Sequence, residues 1–159
     1  MEAVANTSSI IFLAKINIFF LAKNIFSKIL IPKQVINEIF KKDDPENRLI
    51  KNELQKFLKE VEIAKIKEFP LDEGEKAAIS LCLQNHIKIF LSDDKKARRF
   101  ARSLGLETIG ILGIILWNLN NKKLKKEDAI KLINKLIDKG YYMPPSLYTK
   151  IIQLINTKS

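Results

Sequence analysis

IKIFLSDDKKARRFARSLG, residues 87–105, is the stretch on which the fold turns. Ile87 to Leu91 is a short, β-rich apolar run, the mark of a buried strand. Ser92 or Asp93 then stands where a helix N-cap belongs, since a short side-chain oxygen accepts one of the N–H groups left free in a first turn. The helix so opened ends at Gly105, the residue type that most easily takes the left-handed turn past a helix end. Leu106 to Ile109 follows as another short strand.

The same alternation recurs on either side. Ala3-Val4-Ala5 is a short apolar strand, and Asn6-Thr7-Ser8-Ser9 can cap the helix after it. Ile10 to Phe26 reads as helical, in two pieces broken near Asn17. Lys28 to Ile31 is a β-branched run, and Pro32 opens a helix to about Lys41, because proline suits a first turn. Lys42 to Asn47 is a charged loop. Arg48 to Val61 has helical periodicity in Leu49, Ile50, Leu54, Phe57 and Leu58. Ile63 to Phe69 alternates, as a strand or an extended segment does. Asp72 to Asn85 is a helix with Ala77, Ala78, Leu81 and Cys82 on one face. Gly110 to Asn120 is a very apolar helix, and two more helices follow at about Lys126 to Lys139 and Pro145 to Ile155. Strands separated by helices argue for a parallel sheet with helices on both faces. The expected fold is therefore α/β, with three layers (α/β/α) and a central parallel sheet of about four to five strands. It forms a single domain over residues 1–159, and its C-terminal helices, about residues 122–157, pack on the core as a helical tail.

Composition narrows the function classes. The chain has 159 residues, the length of one domain, and a domain of that size hides roughly 70% of its unfolded surface. Apolar residues are 47%, too many for a disordered chain. The lone cysteine, Cys82, excludes an internal disulfide and a thiolate zinc cage. The net charge of +10 implies attraction to polyanions, of which nucleic acid is the commonest; a codon-driven excess of lysine is the bland alternative. Ile10 to Ile31 is apolar, but Lys15, Asn17, Lys23, Asn24, Ser27 and Lys28 interrupt it before it reaches the ~20 mostly apolar residues of a membrane span. A signal peptide also fits poorly, since the start carries Glu2 in place of a basic run. The expectation is a cytoplasmic protein with no membrane partner.

Ligands of open parallel sheets bind beyond the carboxyl ends of the strands, so the residues just after each strand matter most. Asn6 follows the first. Glu38 lies about one and a half turns into the helix after the second, and Glu75 lies near the start of the helix from Asp72. Asp93-Asp94 follows Leu91. These are oxygen donors from separated segments that can converge on one cleft. Clustered carboxylates repel one another unless a cation such as Mg²⁺ neutralises them, and such an ion can activate water against a phosphodiester.

VANTSSIIFLAKI, IPKQVINEI, LDEGEKAAISLCL, FLSDDKKARRFARSLGL and TIGILGIILWNL, in that order, resemble the consecutive motifs of PIN domains. More narrowly they resemble the branch related to VapC-type toxin nucleases, with a Gly-Glu motif and a DD-x-x-AR motif. GYYMPPSLYTKII resembles the hydrophobic segment that closes chains of that branch. The resemblance implies a Mg²⁺ or Mn²⁺ site and cleavage of single-stranded RNA. By position, Glu38, Glu75 and Asp94 match acidic metal-site residues, with Asp93 the near alternative to Asp94. Ser92 stands where the family often has a small hydroxyl residue. An antitoxin protein that masks the cleft, and a homodimer, are implied by the resemblance alone. One departure stands out: Asn6 occupies the position where many PIN domains carry their first metal-binding Asp, so a neutral carbonyl replaces a charge. Ser9 departs too, where relatives often have proline.

The proposed catalytic set is thus Asn6, Glu38, Glu75 and Asp94, with Glu38, Glu75, Asp93 and Asp94 as metal candidates. Thr7, Ser92, Lys95 and Arg98 are candidates for touching substrate, the last two by gripping phosphates from the helix after the acidic pair. Most have a plainer reading: Asp93 as the cap of its helix, Glu38 as a solvated helix residue, Glu75 as a first-turn charge favoured by the helix dipole, Asn6 and Thr7 as turn and capping residues, the Lys and Arg run as a solvated face. Phe12, Phe19, Phe20, Phe26 and Trp117 read as core or a dimer surface. Three functions remain open: a ribonuclease, a module with a decayed metal site that binds RNA or protein without cutting, and a DNA nuclease.

Overall fold

The computed structural model describes residues 1–158. Five parallel strands form one sheet in the order β3-β2-β1-β4-β5. They are β1 (Glu2–Ala5), β2 (Lys28–Pro32), β3 (Leu58–Val61), β4 (Ile89–Leu91) and β5 (Glu107–Ile109). The helices are α1 (Thr7–Lys15), α2 (Phe19–Lys23), α3 (Lys33–Phe40), α4 (Glu46–Glu53), α5 (Glu73–Gln84), α6 (Lys95–Ser103), α7 (Ile111–Asn120), α8 (Lys126–Asp138) and α9 (Pro145–Asn156).

Period-two alternation along the strands creates two cores. Ala3, Ala5, Ile29, Ile31 and Leu91 point to one face and pack with residues of α1, α2, α3, α4, α7, α8 and α9. Val4, Leu30 and Phe90 point to the other and meet Ala78, Ile79, Leu81 and Cys82 of α5 and Ala97 and Ala101 of α6. The inner strands β1, β2 and β4 are covered on both faces, which is why they read as largely apolar runs. The three-layer α/β architecture expected from the alternation is what the chain adopts. The break expected near Asn17 falls there, with that residue at φ +55°. Gly105, at φ +86°, ends α6. No helix among the described residues is long and apolar enough to cross a membrane.

The third strand is displaced from its expected place. Arg48 to Val61 reads as one helix, but α4 stops at Glu53 and Leu58–Val61 pairs with β2, Ile29 opposite Leu58 and Ile31 opposite Glu60. Gln55 turns the chain at φ +69°, a conformation a non-glycine residue does not advertise. The open edge of β2 offers backbone hydrogen bonds that a longer helix would forgo, and tertiary pairing overrides local periodicity. Ile63 to Phe69 is irregular instead of a strand. Its alternation reflects packing, because Ile63, Phe69 and Leu71 rest on the second core. Of the aromatics, Phe19 and Phe26 are buried, while Phe20 is 58% exposed.

One polar side chain locks the helices of the first layer. Asn118 on α7 is fully buried, and its Nδ2 donates to Leu21 O of α2 at 3.1 Å and to Ile114 O at 2.8 Å. Its Oδ1 accepts from Asn24 Nδ2 at 2.7 Å. Replacement by alanine removes three hydrogen bonds made from a buried position, so Asn118→Ala is expected to destabilise the fold by about 1–3 kcal/mol. Urea unfolding of both proteins checks this.

Candidate active site

The strand order places the site. From the central pair β1 and β4 the chain builds outward in opposite directions, to β2 and β3 on one side and to β5 on the other. At such a switch point the connections diverge and leave a crevice at the carboxyl ends of the strands. Asn6 is the first residue beyond β1, and its N–H donates to Leu91 O of β4 at 3.2 Å. Ser92, Asp93 and Asp94 are the first residues beyond β4.

A pocket of about 260 Å³ opens at this point, lined by Asn6, Thr7, Ser8, Glu38, Asp72, Gly74, Glu75 and Asp94, with Ile11. It therefore brings together Asn6, Glu38, Glu75 and Asp94 from four segments of the chain. Asp72 and Gly74 join them, although neither was a candidate in the sequence. The signal was the capping box hidden in LDEGE: Asp72 is the N-cap of α5, its Oδ1 accepts from the Glu75 N–H at 2.8 Å, and its own N–H donates to Glu75 Oε1 at 3.3 Å.

Local contacts set each donor. The amide of Asn6, only 4% exposed, donates through Nδ2 to Ser92 Oγ at 2.8 Å, and Ser8 Oγ donates to its Oδ1 at 3.4 Å. Asn6 is the N-cap residue of α1 but its side chain caps nothing, contrary to the expectation for this stretch. Ser92 is fully buried and also receives the Asp94 N–H at 3.2 Å. It orients its neighbours from beneath the pocket and does not line it. Thr7 donates its hydroxyl to the Glu38 carboxylate. That carboxylate lies against Gly74, where a Cβ would stand 3.0 Å from Glu38 Oε1, so α3 and α5 approach closely because position 74 has no side chain. Asp94 is the N-cap of α6, its Oδ1 accepting from the Ala97 N–H at 2.8 Å.

The capping expectation for Ser92 or Asp93 is thus corrected by one residue or two, and Asp93 has a different partner set. It does not line this pocket with the others. Its Oδ1 accepts from the Ile111 N–H at 2.9 Å and from the Tyr141 hydroxyl at 3.1 Å, and its Oδ2 accepts from Ser9 Oγ at 2.9 Å. Asp93 therefore caps α7 instead of the helix that follows it. Gly110 is required beside it, since a Cβ there would fall 2.7 Å from Asp93 Oδ1. Burial and the neighbouring Asp93 carboxylate push the Tyr141 hydroxyl pKa up, which keeps it a donor. Both Asp93 oxygens accept hydrogen bonds, and the side chain is turned towards α7.

Crowding shows in the titration of Glu75. Burial first, then the negative charges of Asp72 and Asp94, push its carboxyl up to about 7 against an ordinary 4.5. The donors are hard oxygens, with the four carboxylates of Glu38, Asp72, Glu75 and Asp94 at one pocket, the set that suits Mg²⁺ or Mn²⁺. In the conformation seen, no three His, Cys, Asp or Glu side chains among the described residues are grouped tightly enough to hold an ion. Glu75 is folded back on the Asp72 N–H and Glu38 receives the Thr7 hydroxyl. The residues fit a divalent cation in chemistry. Lys95 and Arg98 lie outside this pocket and line a second one of about 750 Å³, which shares Ser8 and Asp94 with it.

Residues 2–157 match the model of the domain family DUF3368, described as a PIN domain. No curated protein matches the sequence. Among solved structures, a PilT N-terminus domain protein from the hyperthermophilic archaeon Sulfolobus solfataricus is similar, at 20% identity and a TM-score of 0.56, covering 72% of this chain and 90% of its own. The PIN domain endonuclease Utp24 is similar at 11% identity and a TM-score of 0.55, covering 69% of this chain and 84% of its own. At these identities the likeness concerns the fold.

The two adjacent aspartates are expected to behave differently. Asp93→Ala removes three hydrogen bonds to a carboxylate and should cost about 2–4 kcal/mol of stability, whereas Asp94→Ala removes one cap and should cost about 1 kcal/mol. Urea midpoints of the two variants decide it. Glu75 gives a pH signature. The folded, metal-free protein holds the Glu75 proton more tightly than the unfolded chain, so this group favours the fold most at and below about pH 4.5, and that contribution is lost as pH rises through about 7. The stability of Glu75→Gln relative to the unmodified protein should therefore increase between pH 5 and pH 8, approximately the titration window, in urea titrations run with EDTA.

Proposed function

This chain belongs to the PIN-domain family, and from that premise we propose that it is a divalent-metal-dependent endoribonuclease that cuts single-stranded RNA. PIN domains are generally nucleases, and a protein of similar fold is an endonuclease by description. The observation that carries the reading is the meeting of Asn6, Glu38, Glu75 and Asp94, from four separate segments, at the switch point of the sheet. Such convergence of like charges is costly without a counter-ion.

Glu38, Glu75 and Asp94 would hold Mg²⁺ or Mn²⁺, with the Asn6 carbonyl as a neutral fourth donor. The ion, when bound, would polarise a phosphoryl oxygen and activate a water. The chain's own residues do the rest. Ser92 holds Asn6 and the Asp94 backbone in place from below the pocket. Thr7 aims the Glu38 carboxylate. Glu75 must lose its proton to join the donor set, and its carboxyl, at about 7, does so near neutral pH. The excess of ten positive charges draws the polyanion to the protein.

The resemblance of the motifs to VapC-type toxins supports placing the protein as the toxin half of a toxin–antitoxin pair, acting in the cytoplasm as a homodimer and masked by an antitoxin protein. A second reading rests on Asn6. Its amide is committed through Nδ2 to Ser92, and it brings no charge where many PIN domains bring one. In that reading the domain binds RNA or a protein without cutting.

Incubation of labelled single-stranded RNA and DNA with Mn²⁺ or Mg²⁺ tests both. The expected result is metal-dependent cutting of RNA, reduced on the order of a hundredfold or more by Asp94→Ala, since disturbing even the partners of a metal ligand costs 10–100-fold. Cutting of DNA alone would replace the substrate. No cutting by this protein, restored by Asn6→Asp, would establish the second reading.

A further inference from the structure

The second pocket, beside the acidic one, is unlike it in character. It shares Ser8 and Asp94 with the acidic site, so the two are continuous. Its polar wall carries Lys95 and Arg98 of α6, and its other wall carries Tyr141 and Tyr142 from the loop between α8 and α9. That loop is anchored. Gly140 turns the chain at φ +97°, the Tyr141 N–H donates to Leu136 O at 2.9 Å, and the Tyr141 hydroxyl is held by Asp93. The Tyr141 ring also meets Phe12 edge-on with centroids 5.2 Å apart. With Tyr141 pinned, Tyr142 is displayed next to it, and at 83% exposure its ring has almost no cover from the protein. A large aromatic held in water at the mouth of a groove that carries Lys95 and Arg98 beside Asp93 and Asp94 lacks a partner in the fold itself. Nε of Arg98 is buried and donates to nothing among the described residues.

Aromatic faces and cations side by side suit single-stranded nucleic acid, because any unpaired base can stack on a ring while its phosphate meets a cation. We propose that this groove is a nucleotide subsite of the acidic site, in which an unpaired base of single-stranded RNA stacks on Tyr142 and the adjoining phosphate is held by Lys95 and Arg98. The proposal rests on the ribonuclease reading for its substrate class. It adds the C-terminal loop to the binding surface and sets the direction in which the strand leaves the acidic pocket, towards α6 and Tyr142.

Binding is best read separately from cutting. The full chain, in EDTA, is titrated into a short fluorescein-labelled single-stranded RNA and followed by anisotropy, with Tyr142→Ala, Tyr142→Phe and Lys95→Ala beside the unmodified protein. The expected result is about a tenfold loss of affinity in Tyr142→Ala, retention in Tyr142→Phe, and in Lys95→Ala a salt dependence shallower by about 0.7 in logarithmic slope. Tyr142 is exposed, and circular dichroism confirms that the variants fold. Equal affinity of Tyr142→Ala and the unmodified protein would overturn the subsite, and if the protein still cut RNA with Mn²⁺ the ribonuclease reading would stand without it. Failure of Tyr142→Phe to retain affinity would overturn stacking, because the hydroxyl would then carry the contact. Absence of RNA binding by the unmodified protein would overturn the subsite and the RNA reading together.

Discussion

The carboxylate of Asp93 is the contact on which the site end of the molecule depends. It lies just past β4 and ties together Ser9 of α1, the amino end of α7 and Tyr141 of the C-terminal loop. Two of the three donors are side-chain hydroxyls and the third is a helix N-terminal N–H, which favours negative charge. The backbone turns between Asp93 and Asp94, so one aspartate serves the interior and the next faces the acidic pocket. Ser9 and Gly110 both follow from this arrangement: Ser9 because a hydroxyl is needed there, Gly110 because no Cβ fits.

The acidic pocket stores the opposite kind of energy. Burial, and after it the charges of Asp72 and Asp94, push the Glu75 carboxyl up to about 7. Local hydrogen bonds make the cluster tolerable in the meantime: Thr7 serves Glu38, the Asp72 N–H serves Glu75, and the Ala97 N–H serves Asp94. Capping bonds at two helix starts thus double as restraints on the donors. A neutral Asn6, held by a buried serine, lowers the repulsion at the cost of one charge. Cys82, by contrast, is buried in the second core, where burial pushes its thiol up to about 12 and leaves it inert.

Much of this was legible before any coordinates. Alternating strands and helices specified the three-layer fold, because the inner strands had to be apolar on both faces and the helices on one. Residues beyond the strand ends were legible as site candidates because ligands of open parallel sheets bind there, and Asn6, Glu38, Glu75 and Asp94 do meet at one pocket. Illegible were the features set by partners distant in the chain. Leu58 to Val61 became a strand because β2 had a free edge, and Gln55 made the turn without a glycine to announce it. The capping role passed to Asp94 because Asp93 found better donors on α7 and beyond.

The sequence by itself thus determined the class of fold, the polyanion-seeking charge and the segments from which oxygen donors come, since these depend on composition and on periods of two and 3.6 residues. Folding in three dimensions settled which aspartate faces the pocket, where the sheet ends, and that Tyr142 stands beside the groove of Lys95 and Arg98. Those outcomes depend on which groups lie within hydrogen-bonding or packing distance after folding, and residues 93 and 141 are brought together by no local rule.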